Sequence, residues 1–273
     1  MTFSIVARAG DAYGVAVASK FIAVGSVVPD ARTGVGAVAT QAMARVSFRQ
    51  RALALLAQGC SADETARQLV GADEAPEHRQ LGVVSDRDEA SYTGAQCLDW
   101  AGGLTGRDDT GGYAIQGNIL AGEKVVLDMR RAYLAAAGAP LPQRLMAALV
   151  AGDQAGGDRR GRQSAAVYAV QPGAGYDGCG VLADIRVDEH PDATNELARV
   201  LDLWDLYFGR PTEVLRLRGN LEAEVRQRLS ALGRTQADLQ AALSDWAGEA
   251  NLEMRLVADG IDARVLDQLR QAT

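Results

Sequence analysis

Lysine is nearly missing from this 273-residue chain: of its 28 basic residues only Lys20 and Lys124 are lysines, and the rest are arginines. A lysine at a given place is therefore not a product of composition. Histidine is as scarce, with His78 and His190 alone, which nearly excludes a histidine-rich metal site. Carboxylates could still hold a hard cation, but the expectation is no metal and no cofactor. Cys60, Cys97 and Cys179 are odd in number and lack CxxC spacing, which argues against a disulfide framework or thiolate zinc site and for reduced thiols. No apolar run approaches the roughly 18 to 20 residues of a membrane span. The first residues also lack the basic segment and unbroken apolar stretch of a secretory signal. A cytoplasmic chain without membrane contact is expected. Its net charge of −7 gives no general attraction for nucleic acid, which is not expected as a partner.

What remains is an ordinary globular composition, 48% hydrophobic and 23% charged, in a chain long enough to bury a sizeable core in one or two domains. The run Phe3–Arg8, a turn and the apolar stretch Gly14–Ala18 predict an opening hairpin, and Val35–Thr40 a third strand. Helices follow over Ser47–Gln58 and, behind the capping box Ser61-Ala62-Asp63-Glu64, to about Val70. Strands are expected at Gln80–Ser85, Ala90–Thr93 and Gly112–Asn118, helices at Gly122–Ala137 and Pro142–Ala151, and strands again at Ser164–Val170 and Val181–Val187. Paired strands at both ends with paired helices between them do not alternate as βαβα. They favour an α+β layered architecture on antiparallel sheets. After Tyr207–Pro211 the chain turns helical and polar-faced, so the expected division is 1–205 and a helical module over 206–273.

The densest chemistry is at the beginning. If Met1 is removed, Thr2 carries a hydroxyl and a free α-amine on one residue, and an α-amine titrating near about 7.7 to 8.0 can take the hydroxyl proton. Lys20, at the end of the second strand, could lower the α-ammonium pKa and stabilise developing negative charge, or simply reach solvent. Gln116-Gly117-Asn118 ends a strand, so the Asn118 amide is either an oxyanion donor or part of a turn. The stretch Gly156–Ser164 places Asp158, Arg159, Arg160 and Arg162 among glycines. It is either an anchor for a carboxylate or phosphate or a solvated basic turn. It does not fit the Walker nucleotide-binding pattern. His78-Arg79-Gln80 lies just ahead of a strand, and Asp184, Arg186 and Asp188 share one strand face, solvated or networked. His78 and His190 are candidate acid/base groups or structural residues. Cys97 is a weaker nucleophile candidate, since nothing local lowers its pKa.

Several segments together resemble the bacterial family catalogued as domain of unknown function 1028, over roughly residues 1–200. They are Thr2–Arg8, Gly14–Phe21, His78-Arg79-Gln80, Thr93-Gly94 with Cys97 and Trp100-Ala101-Gly102, Gln116–Leu120, and Gly157–Ser164. That family is grouped with the N-terminal nucleophile hydrolases. The resemblance implies a four-layer αββα sandwich and amide-bond hydrolysis, with Thr2 at the nucleophile position and Lys20 near the charged residue that proteasome-like members place behind it. Residues 206–273, with Leu206–Gly209 and Trp246–Glu253, resemble a helical C-terminal domain described as peptidoglycan-binding. The expected enzyme is thus an amidohydrolase with Thr2, Lys20 and Asn118 as catalytic residues. His78, Arg79, Gln80, Asp158, Arg159, Arg160 and Arg162 are its substrate-binding residues. Its expected partner is a small-molecule or peptide amide, acidic or derived from cell wall. The alternative is a non-catalytic protein on the same scaffold that binds peptidoglycan fragments or another protein. Exposed hairpin edges in layered β folds pair between subunits, so a homodimer is the expected assembly.

Overall fold

A computed structural model describes residues 2–273, so the Met1 side of the Met1–Thr2 bond lies outside the described residues. The elements follow as β1 (Thr2–Ala9), β2 (Ala12–Ser19), β3 (Pro29–Arg32), β4 (Gly36–Ala42), α1 (Ser47–Ala57), α2 (Ala62–Gly71), β5 (Arg79–Val84), β6 (Glu89–Thr93), β7 (Gly102–Asp108) and β8 (Gly111–Asn118). Then come α3 (Lys124–Ala135), α4 (Leu141–Gln154), β9 (Ser164–Val170), β10 (Val181–Val187), α5 (Ala193–Phe208), β11 (Val214–Leu215), α6 (Asn220–Ala231), α7 (Leu239–Glu249), β12 (Ile261–Asp262) and α8 (Ala263–Gln271). One sheet runs β10-β9-β2-β1-β8-β7 and another β3-β4-β5-β6, with antiparallel neighbours throughout. The chain is α+β on antiparallel sheets, as its strand order predicts.

Strands β1 and β2 are buried on both faces because both faces are covered. Val6, Val15 and Val17 share one buried cluster with Ala37, Ala39 and Val84 of the smaller sheet. On the other face Gly14 lies so close to α4 that an added Cβ would stand 2.8 Å from Leu145 Cδ1. The outward residues of the smaller sheet, Val38, Leu81 and Val83, pack with Phe48, Leu53 and Leu56 of α1 and Leu69 of α2. Period-two alternation thus sends Val38 to the helices and Ala37 and Ala39 to the other sheet. The capping box forms as expected, with Glu64 N–H donating to Ser61 Oγ at 3.1 Å and Ser61 N–H to Glu64 Oε2 at 2.9 Å.

Four expectations are corrected. Strands β3 and β7 were not predicted; both are sheet edges, where one begins with proline and the other is glycine-rich and half-exposed, so neither needs an apolar run. Strand β4 extends to Ala42, two residues past the expected end. Strand β5 begins at Arg79, one residue before the expected start at Gln80. The C-terminal segment is not all-helical, because β11 pairs with β12. Asp184 and Arg186 of the predicted charged row are exposed on β10, and Arg186 lies 3.9 Å from Asp188, so the row is a solvated face that also carries an ion pair.

The chain divides into a compact unit ending at Leu201 and a second spanning Asp202–Thr273. The second unit has its own core, including Leu206, Val225, Leu229, Leu243, Trp246 and Val265. At its centre the fully buried Arg255 side chain donates to the Leu206 carbonyl at 2.8 Å and ion-pairs with Asp205 at 2.8 Å and Asp262 at 3.4 Å. Arg255→Met leaves Asp262 buried without that cation. The expected loss is about 3 kcal/mol, read from urea denaturation of the full chain.

Candidate functional site

The turn Gly10-Asp11 joins β1 to β2, with Gly10 at φ 62 where a two-residue hairpin turn needs a positive angle. It sets Phe3 opposite Ala18 and so carries Thr2 beside Ser19, the last residue of β2. Thr2 Oγ1 lies 3.2 Å from Ser19 Oγ. On its other side Thr2 pairs with Asn118 of β8. The nucleophile candidate is therefore the first residue of an inner strand, 5% exposed, with a hydroxyl as its partner.

Behind Thr2 the layer between the sheets changes from apolar to polar. Gln41 Nε2 donates to the Thr2 carbonyl at 3.2 Å, to Gln80 Oε1 at 2.7 Å and to the Gln116 carbonyl at 3.3 Å, while Gln41 Oε1 accepts from Ser4 Oγ at 2.7 Å. Gln80 Oε1 also accepts from Asn118 Nδ2 at 2.9 Å, and Gln80 Nε2 donates to Thr93 Oγ1 and to the carbonyls of Gly117 and Gly102. Gln116 Nε2 donates to Ser4 Oγ at 2.6 Å. Gly82 admits the Gln116 amide, since an added Cβ would meet its Oε1 at 2.3 Å. This network joins both sheets and fixes the main chain at Thr2. Such buried polar groups are costly unless satisfied together.

Thr2 opens on a cleft of about 310 Å³, lined also by Phe21, Val24, Val27, Val28, Met43 and Arg79. Arg79 is held by the buried Asp73 carboxylate, Nε at 3.2 Å and Nη2 at 3.1 Å, and Arg45 shares that carboxylate at 3.1 Å. Burial pushes the Asp73 carboxyl up, but hydrogen bonds from Arg79, the Ala75 N–H and Arg45 hold it down at about 2. A folded-state pKa below the ordinary 3.8 stabilises the fold above pH about 4, and this is lost as pH falls toward 2, about 2 kcal/mol in all. Acid denaturation should show that extra loss in the wild-type chain and not in Asp73→Asn.

Backbone strain gathers at the same place. Ala42 at φ 69 follows Gln41 and lines the cleft, and the β-branched Ile119 at φ 50 follows Asn118. Left-handed backbone at such residues costs on the order of 1–3 kcal/mol and concentrates at functional sites.

The other sequence candidates fall elsewhere. The exposed Lys20 ammonium donates to the Arg162 carbonyl at 3.2 Å, so the group at the Thr2 hydroxyl is Ser19. Asn118 Nδ2 donates to Gln80 Oε1 and, at 3.5 Å, to the Thr2 carbonyl, which commits it to the network behind Thr2. Asp158 accepts from the Lys20 N–H and pairs with Arg160 at 2.9 Å, and Arg162 pairs with Asp153 at 2.7 Å. That stretch is a loop clamped by its own Asp158 and by Asp153 of α4, with the Arg159 N–H on the Ile119 carbonyl. His78 is near-surface, 3.5 Å from Glu77. His190 Nδ1 accepts from the Asp192 N–H. Burial pushes the Cys97 thiol up, with the Gly94 N–H opposing, the wrong direction for a thiolate nucleophile. Arg79 is the one predicted anchor that shares the cleft with Thr2. Ser19, Gln41, Gln116 and Asp73 were missed, and only Ser19, next to Lys20 in the hairpin, left a readable signal.

The model of a family of unknown function, DUF1028, matches residues 2–197. A crystal structure of a protein from Silicibacter pomeroyi assigned to that family superposes with a TM-score of 0.65 at 25% identity, over 83% of this chain and 94% of that one. Among curated proteins none matches.

Proposed function

The chain belongs to the DUF1028 family, a family of unknown function, and from that premise we propose that it is an amide hydrolase whose nucleophile is Thr2. The observation that carries the reading is the Thr2 hydroxyl, 3.2 Å from Ser19 Oγ at the start of an inner strand and facing a cleft of about 310 Å³. The order of helices, sheet, second sheet and helices supports an αββα sandwich of the N-terminal nucleophile type.

Once Met1 is cleaved, the α-amine of Thr2 takes the hydroxyl proton as Oγ1 attacks the amide carbonyl. The amine passes that proton to the leaving nitrogen, the C–N bond breaks, and an ester remains on Thr2. Water then attacks the ester, again losing its proton to the amine, and releases a carboxylic acid and the free hydroxyl. Gln41, and behind it Gln80, hold the Thr2 main chain so that hydroxyl and amine keep one orientation. Ser19 steadies the hydroxyl.

An acylating electrophile such as a β-lactone discriminates the nucleophiles directly. Peptide mass mapping is expected to find the adduct on Thr2, and an adduct on Cys97 with Thr2 unmodified would overturn the assignment.

A further inference from the structure

We propose that the Thr2 cleft binds an N-acylated amino acid, with the apolar acyl group against the cleft wall and the α-carboxylate on Arg79. The proposal rests on the hydrolase reading for the bond that is cut, while the anchoring is a claim about binding alone.

Arg79 has five N–H donors. Nε and one Nη2 hydrogen go to Asp73, and one Nη1 hydrogen goes to the Met43 carbonyl. Among the described residues one N–H on each Nη is left, in a side chain 16% exposed at the cleft. Two guanidinium groups share the single Asp73 carboxylate, so Arg45, Asp73 and Arg79 together carry one net positive charge. In a chain of net charge −7 an anion is drawn only to such a local excess. Arg160 and Arg162 are paired one for one with Asp158 and Asp153, and that loop does not line the Thr2 cleft. A guanidinium oriented by a carboxylate suits a planar carboxylate ligand.

Apart from Thr2 and Gln41 the rest of the wall is apolar, including Val24, Val27 and Val28, with Phe21 49% and Met43 65% exposed. Large apolar side chains left in water beside a concave site mark a ligand surface. About 310 Å³ lies at the small end of ligand pockets, which fits a medium-chain or aryl acyl group and not a long lipid. With Thr2 on the same wall, the amide joining acyl group to amino acid reaches the nucleophile. Its cleavage releases the amino acid, which takes the transferred proton, and after water attack the fatty or aryl acid.

The probes are N-octanoylvaline and its carboxamide, titrated calorimetrically into the full-length Thr2→Ala variant. The carboxylate form is expected to bind about tenfold tighter or more. Arg79→Gln should bring it to the level of the carboxamide, with Arg79→Lys between. Equal affinities for the two probes, or no binding of either up to millimolar concentration, would overturn the proposal. Because that comparison leaves Arg79 intact, it stands even if Arg79→Gln unfolds. The wild-type chain separates the two claims. Carboxylate-selective binding without release of valine removes the hydrolase reading and keeps the anchor. Cleavage of the carboxamide as fast as the carboxylate keeps the hydrolase and removes the anchor.

Discussion

Thr2→Ala is expected to lower amide hydrolysis by about 10³-fold or more while leaving the fold intact. The hydroxyl is the only atom in the cleft that the reading assigns to bond formation, so its removal leaves the reaction without its nucleophile. The structural cost is small, because the substitution removes one neutral hydrogen bond, worth about 1 kcal/mol. Thr2→Ser keeps both hydroxyl and amine and should retain most of the rate. The check is kcat/KM on any responsive amide, with thermal unfolding as the control. Wild-type rate should also rise with pH as the α-amine deprotonates near about 7.7 to 8.0. A Thr2→Ala protein as active as wild type would remove Thr2 from the chemistry.

The largest stability effect is expected at Gln80. Gln80→Leu keeps the volume and removes the amide that accepts from Gln41 and Asn118 and donates to the Gly117 carbonyl at 2.8 Å. All of these groups are buried between the sheets, so water does not replace the missing partner. Each unpaired group costs about 1–3 kcal/mol, and since the network relaxes as a unit the expected sum is about 4 kcal/mol. The Thr2 carbonyl loses its support as well, because Gln41 Nε2 bridges Thr2 and Gln80. Urea denaturation should show the loss, and surviving folded protein should show a lowered kcat. An unchanged midpoint would mean that the network is not coupled to stability.

The inner strand Ser164–Val170 was legible in the sequence because both its faces are buried, and the edge strand Val181–Val187 falls where predicted although its charged face is exposed. Edge strands β3 and β7 carry no such demand and were invisible. At the site, Thr2 stood out because removal of Met1 would put hydroxyl and α-amine on one residue. Ser4 with Gln41 and Ser4 with Gln116 were not, since those pairs lie 37 and 112 residues apart and acquire meaning only when two sheets meet. Composition misled over the arginine stretch. Asp153, the partner of Arg162, lies on α4 outside the run, so that pairing could not be read locally. Arg79 looked like one member of a strand-edge triplet, and the structure separates it from its neighbours: His78 lies near the surface, Gln80 goes inward, and Arg79 reaches the cleft.

All of the chemistry depends on the bond between Met1 and Thr2. Intact-mass measurement of the protein isolated from its native cells reads that bond directly. The account predicts a mass lower by one methionine residue, with Thr2 as the amino-terminal residue. Quantitative retention of Met1 would contradict it, and would leave a scaffold that binds its ligand without cutting it.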